Sequence, residues 1–175
     1  MCAVSCSTAS VSADSDSQDF EENYALFEEE IRECTAISGF SEIAFFDITG
    51  DGRAELLEVY AEEQVDFSIV LNIVDLDVGS LGKVPCSYGT IDGFYDGSVV
   101  VFGGHMDDFF SKKISWDGEA LKTEDLNTVD TSQITDPDER NKVMKEGLLT
   151  GLDMAQYTPA EKVYLQIIDG QVERL

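Results

Sequence analysis

The stretch Asp47-Ile48-Thr49-Gly50-Asp51-Gly52-Arg53-Ala54-Glu55-Leu56-Leu57-Glu58 decides how the rest of the chain is read. Side chains bearing oxygen stand at its first, third, fifth, ninth and twelfth positions, and Gly52 stands at the sixth, where the backbone must turn sharply. A hard divalent cation takes six to eight oxygens, and acidic residues alternating around a tight turn can aim theirs at one centre; this is the spacing of a calcium loop. The flanks decide the fold. Ile43-Ala44-Phe45-Phe46 enters the loop as a short apolar run, and Leu56-Leu57-Glu58-Val59-Tyr60 leaves it as another. Strands on both sides make a hairpin presentation the preferred one over a helix-loop-helix hand, which would place an aliphatic residue where Ala54 stands.

In either presentation the candidate calcium ligands are Asp47, Asp51 and Glu55 through their carboxylates and Arg53 through its carbonyl. Thr49 offers an uncharged oxygen where Asp or Asn is usual, and Glu58 is the twelfth-position carboxylate that a helix-loop-helix hand would use. The competing reading is a metal-free hairpin whose aspartates hydrogen-bond their own turn.

Before the loop, Phe20, Tyr24, Phe27, Ile31 and Cys34 recur at steps of four and three, which predicts one amphipathic helix ending near Gly39. Asp19 with Glu22 reads as its capping pair. After the loop the period drops to two. Val65, Phe67, Ile69, Leu71 and Ile73 predict a strand with one buried face, and Leu81 to Tyr88, Ser98 to Phe102 and Phe109 to Trp116 predict further strands. Asp-Gly pairs begin at Asp51, Asp92, Asp96, Asp117 and Asp169, each a favoured tight-turn dipeptide. Leu126 to Pro137 reads as a loop, and Pro137 to Leu149 as a helix capped by Asp136. Pro159 to Lys162 reads as a helical turn, and Val163 to Leu175 as a closing hairpin. The expected fold class is therefore α+β: an N-terminal helix on an antiparallel meander, with a short C-terminal helix and a final hairpin.

Composition bounds the function classes. With 36 acidic against 11 basic residues the formal charge is -25, which repels phosphate backbones and anionic membranes and argues against nucleic acid as a partner. No segment reaches the ~18 apolar residues a membrane-spanning helix needs. Residues 1–18 are small and polar and read as a leader or linker, with residues 19–175 as one domain. Ala3-Val4-Ser5-Cys6 is similar to the end of a bacterial lipoprotein signal, which would make Cys6 a lipid anchor; a disordered cytosolic N-terminus is the other reading. Cys34 and Cys86 fall in the folded part, either as buried thiols or as a pair if the chain is exported.

The segment Phe46 to Leu57 resembles the Asp-x-Asn-Gly-Asp-Gly-x-x-Asp/Glu-Leu signature of FG-GAP/VCBS-type loops. Together with Asp96 to Phe110 and Trp116 to Leu121, it resembles exported, often lipid-anchored proteins of Gram-positive gut bacteria over roughly residues 20 to 124. That resemblance implies a cell-surface or extracellular location and an architecture more than an activity; because no catalytic constellation stands out in the sequence, a non-catalytic module is the first reading. An acidic inhibitor or immunity-type protein binding a basic partner in the cytosol is the alternative that the charge supports. A hydrolase would have to use His105, the single histidine, with Asp107 and Asp108; no Gly-x-Ser-x-Gly elbow or second histidine accompanies it.

Overall fold

The computed structural model describes residues 13–62 and 69–175, with side chains from residue 19 onward. Among these, three helices and eleven strands form two antiparallel sheets and two helical layers. The expected α+β class with an N-terminal helical segment and antiparallel meander is what the chain adopts. The anchor expected at Cys6, and Val65 and Phe67 of the expected strand, lie outside the described residues.

The N-terminal helical run has two parts, α1 (Ala13–Leu26) and α2 (Glu28–Ser38). The i to i−4 ladder continues through the junction, from Phe27 N–H to Asn23 and from Ile31 N–H to Phe27. Phe27 itself leaves helical geometry as its fully buried ring packs near Phe45, at 6.0 Å between centroids. Because α1 starts at Ala13, Asp19 and Glu22 are mid-helix residues and not the capping pair expected from their spacing. Gly39 closes α2 in the left-handed region, its N–H bonding Thr35 O at 2.8 Å.

Strands β1 (Phe40–Phe46), β2 (Glu55–Ala61), β3 (Ile69–Asp75) and β4 (Gly79–Pro85) form the first meander. A second runs through β5 (Thr90–Tyr95), β6 (Ser98–His105), β7 (Asp108–Trp116) and β8 (Leu121–Asp130). Helix α3 (Pro137–Leu148) follows, then β9 (Tyr157–Pro159), β10 (Lys162–Ile168) and β11 (Gln171–Arg174). The last strands serve both sheets. β9 extends the second beyond β5, while the β10–β11 hairpin extends the first beyond β1, giving the orders β11-β10-β1-β2-β3-β4 and β8-β7-β6-β5-β9.

The two sheets meet face to face. Ala44, Leu57, Val59, Leu71 and Ile73 of the first interdigitate with Ile91, Val99, Val101 and Ile114 of the second. Phe46 stacks on Phe94 across the gap at 4.2 Å. Glu42 is buried in the same gap, and three donors satisfy it: the Thr90 hydroxyl (2.7 Å), the Ile91 N–H (2.6 Å) and the Lys162 ammonium (3.4 Å). On the far side of the first sheet lie Phe20, Phe27 and Ile31, against Ile43, Leu56, Val74 and Leu165. On the far side of the second, Leu148 of α3 packs on Val100 and Phe102.

This layering overturns several local expectations. β3 is buried on both faces, because α2 covers the side on which Asn72 stands. Leu126 to Asp130 is strand, not loop: β8 pairs along β7 with a bulge at Ser111/Lys112 that absorbs its polar, irregular pattern. Pro159 to Lys162 forms no helical turn but links two strands. Asp92-Gly93 is a bulge within β5, since β6 and β9 flank that strand on both sides, and the turn comes at Asp96-Gly97 instead. There both residues adopt positive φ, +50° and +68°, the geometry of a two-residue hairpin turn.

Candidate metal centre

The β1–β2 hairpin presents the loop, so the strand-flanked presentation is the one found. Phe46 and Glu55 are the last cross-strand partners before the chain departs into residues 47–54. Ile48 anchors it: 5 % exposed, its side chain joins the core between the sheets, and the acidic residues around it are held at the sheet's end.

Asp47 organises the turn. Its Oδ1 accepts from the N–H groups of Gly50 (2.7 Å) and Asp51 (3.1 Å), and its Oδ2 from that of Gly52 (2.8 Å). Such convergence of backbone donors needs Gly50 and Gly52 at φ +76° and +91°, which side chains larger than hydrogen resist. Glu55 faces back from the first position of β2. Its Oε2 accepts from Ile48 N–H at 2.8 Å and its Oε1 from the Thr49 hydroxyl at 2.9 Å. Burial raises the pKa of the Glu55 carboxyl, against the lowering effect of those donors.

The carboxylates of Asp47, Asp51 and Glu55 come together. One oxygen from each lies within 4.8 Å of the others, a spacing at which a single cation could touch all three. Arg53 plays a part the sequence reading did not give it. Its guanidinium bonds Asp51 Oδ2 at 3.1 Å and Asp77 Oδ2 at 2.8 Å and approaches Asp75 at 4.0 Å, tying the loop to the β3–β4 turn. The Arg53 backbone N–H, then its guanidinium, hold the Asp51 carboxyl below its usual range. Thr49 spends its hydroxyl on Glu55.

Glu58 does not belong to this group. Three residues beyond Glu55, it projects from the opposite face of β2, under α2, where only 2 % of it is exposed. Its Oε2 accepts from the Asn72 amide at 3.0 Å, and Asn72 in turn accepts from the Ser80 hydroxyl at 2.6 Å. Burial, partly offset by the Asn72 bond, pushes the Glu58 carboxyl up to about 7.

Other acids near the loop went unread in the sequence. Asp19 and Glu22 of α1, with Asp75 of β3, share with Asp47 and Arg53 a cleft of about 420 Å³ between helix and loop. Asp75 and Asp77 are separated by one residue ahead of Gly79, and that short acidic turn is the only local sign of them; nothing local places Asp19 there. His105, the last residue of β6, is exposed with its ring near Tyr88, at 5.4 Å between centroids. Asp107 pairs with Arg140 at 3.2 Å, and Asp108 opposes His105 in the register.

Chemically, the loop is an oxygen-rich turn with a guanidinium at its edge. Its three gathered carboxylates suit a hard cation better than zinc or copper, which favour imidazole and thiolate ligands. In comparisons with family models, with curated proteins and with solved structures, nothing matches this chain significantly.

Proposed function

We propose that this chain is a non-catalytic cell-surface or secreted module whose β1–β2 loop binds calcium as a structural ion. The observation that carries the reading is the convergence of Asp47, Asp51 and Glu55 within 4.8 Å at first, fifth and ninth positions of a glycine turn. The resemblance of Phe46 to Leu57 to FG-GAP/VCBS-type loops supports the same ligand and an extracellular setting. Calcium supplies charge neutralisation there. The protein's part is to gather the oxygens: Ile48 pins the loop, the Thr49 hydroxyl and Ile48 N–H fix Glu55, and the loop's N–H groups orient Asp47.

An affinity of roughly 10⁻⁴ to 10⁻³ M, usual for extracellular calcium modules, would fill the loop outside a cell and leave it empty in the cytosol. Isothermal titration of the full chain with calcium, and separately with magnesium, tests the reading. A saturable calcium signal that Asp47→Ala with Asp51→Ala abolishes is expected. Absence of any calcium signal at 10 mM would remove the site.

A further inference from the structure

A second cavity lies on the opposite face of β2 from the loop. It measures about 240 Å³ and opens between α2 and strands β2 to β4. Cys34 and Ile37 contribute from the helix, Glu58 and Tyr60 from β2, and Ser80 from the beginning of β4. Glu58 is nine-tenths buried and more, yet among the described residues its Oε1 has no hydrogen-bond partner in good geometry, while its Oε2 is satisfied by Asn72. The Cys34 thiol lies beside this carboxyl, but a thiol is a weak donor. A buried acceptor left open is costly, more so when charged, so a donor arriving from outside is favoured.

The lining defines that donor. Glu30 and Glu33 add two more carboxyls, and among the described residues no basic one lines the cavity. Lys83, which pairs with Asn72 across β3 and β4, is held by Glu62 at 2.5 Å with its ammonium over the Tyr60 ring. A metal ion fits poorly, because among the described residues only Asp47, Asp51 and Glu55 gather three ligand atoms around one point. The volume falls below the 300–1,000 Å³ of drug-sized sites, so the occupant is small. Ile37 and Val74 supply apolar wall for a short hydrocarbon chain.

We propose that this cavity binds a small organic ammonium ion, whose N–H groups bond Glu58 Oε1 and whose short aliphatic chain lies against Ile37 and Val74. The site is separate from the calcium loop and stands independently of it.

The test is a ¹H–¹⁵N NMR titration of the full chain at pH 8.0 with n-butylammonium chloride as probe. Sodium chloride at matched ionic strength and n-butanol serve as controls. Saturable shifts are expected at the amides of Cys34, Glu58, Asn72 and Ser80, absent with either control. Glu58→Gln should weaken binding about tenfold or more, the worth of a charge-assisted hydrogen bond. Ile37→Trp, at a half-exposed position on the cavity wall, should also block it. Three results would each overturn the proposal: no saturable shifts, equal shifts with sodium or n-butanol, or undiminished binding by Glu58→Gln. If that variant does not fold, undiminished binding by Ile37→Trp overturns it alone.

Discussion

Glu55 and Glu58 leave the same strand in opposite directions, Glu55 toward the loop of residues 47–54 at the rim between the sheets and Glu58 under helix α2. Three residues along a strand reverse the face, since side chains alternate with period two. Two carboxylates that look equivalent in a twelve-residue motif therefore have unrelated surroundings. One is bonded by the Thr49 hydroxyl and the Ile48 N–H, the other by the Asn72 amide with the Cys34 thiol beside it.

Glu58 gives the fold a defined pH dependence. Its carboxyl rises from 4.5 to about 7 on folding, chiefly through burial. Between those values the folded state holds more protons than the unfolded one, so stability falls as pH rises through the window and levels off above it. The full effect is about 3 kcal/mol. Glu55 shifts in the same direction, so the wild-type slope contains both. Glu58→Gln isolates the first: urea unfolding should find it about as stable as wild type at pH 5 and more stable, by up to about 3 kcal/mol, at pH 8. Parallel pH curves for the two proteins would refute the assignment.

Calcium should stabilise the chain by linkage, because the three carboxylates are gathered only in the folded state. At 10 mM ion and dissociation constants of 10⁻³ to 10⁻⁴ M the gain is about 1.4 to 2.7 kcal/mol. For a chain of this size that corresponds to a rise of about 3 to 10 °C in Tm relative to chelator. Arg53→Gln releases Asp51 from its guanidinium and should tighten calcium binding while lowering the melting temperature in chelator. A variant that binds calcium more weakly than wild type would assign Arg53 to support of the site instead.

The loop and its hairpin were legible because spacing, glycine position and flanking apolar runs all agree locally. So were the closing hairpin after Lys162 and the α3 cap, where Asp136 accepts from Glu139 N–H at 2.9 Å. What escaped the sequence was long-range. β3 reads as a strand with one buried face until α2 is placed over the side on which Asn72 stands. The polar run Leu126 to Asp130 reads as a loop until β7 pairs with it. Asp92-Gly93 reads as a turn until two neighbouring strands hold it straight. Glu58 reads as a twelfth-position ligand only for a helix-loop-helix hand, and the hairpin presentation turns it away.

Cys34 and Cys86 lie on opposite sides of the first sheet, Cys34 beside Tyr60 and Val70 under the helix, Cys86 in the core between the sheets. Both are free and buried. Burial raises both thiol pKa values, that of Cys86 to about 11, so neither supplies much thiolate at neutral pH. In a Cys2→Ser, Cys6→Ser background, a chromogenic disulfide reagent should find almost no fast-reacting thiol in the native protein. Two should appear in denaturant. Oxidative refolding should yield no Cys34–Cys86 bridge, and a bridged species by mass spectrometry would contradict this packing.

Thr49 preorganises Glu55 at a position where calcium loops usually carry a charged ligand. Its hydroxyl donates to Glu55 Oε1 at 2.9 Å, a bond that fixes the carboxylate whether or not an ion is present. Thr49→Asp replaces that donor with a fourth carboxylate facing Asp47, Asp51 and Glu55. Without calcium the exchange removes a hydrogen bond and adds repulsion, so the melting temperature in chelator should fall, with about 1 kcal/mol lost from the bond alone. With calcium the added charge should improve affinity by about an order of magnitude, since ligand charge count tunes such loops. The two effects have opposite sign, so melting in chelator and in 10 mM calcium should diverge further for the variant than for wild type. Equal destabilisation under both conditions would mean that position 49 does not face the ion.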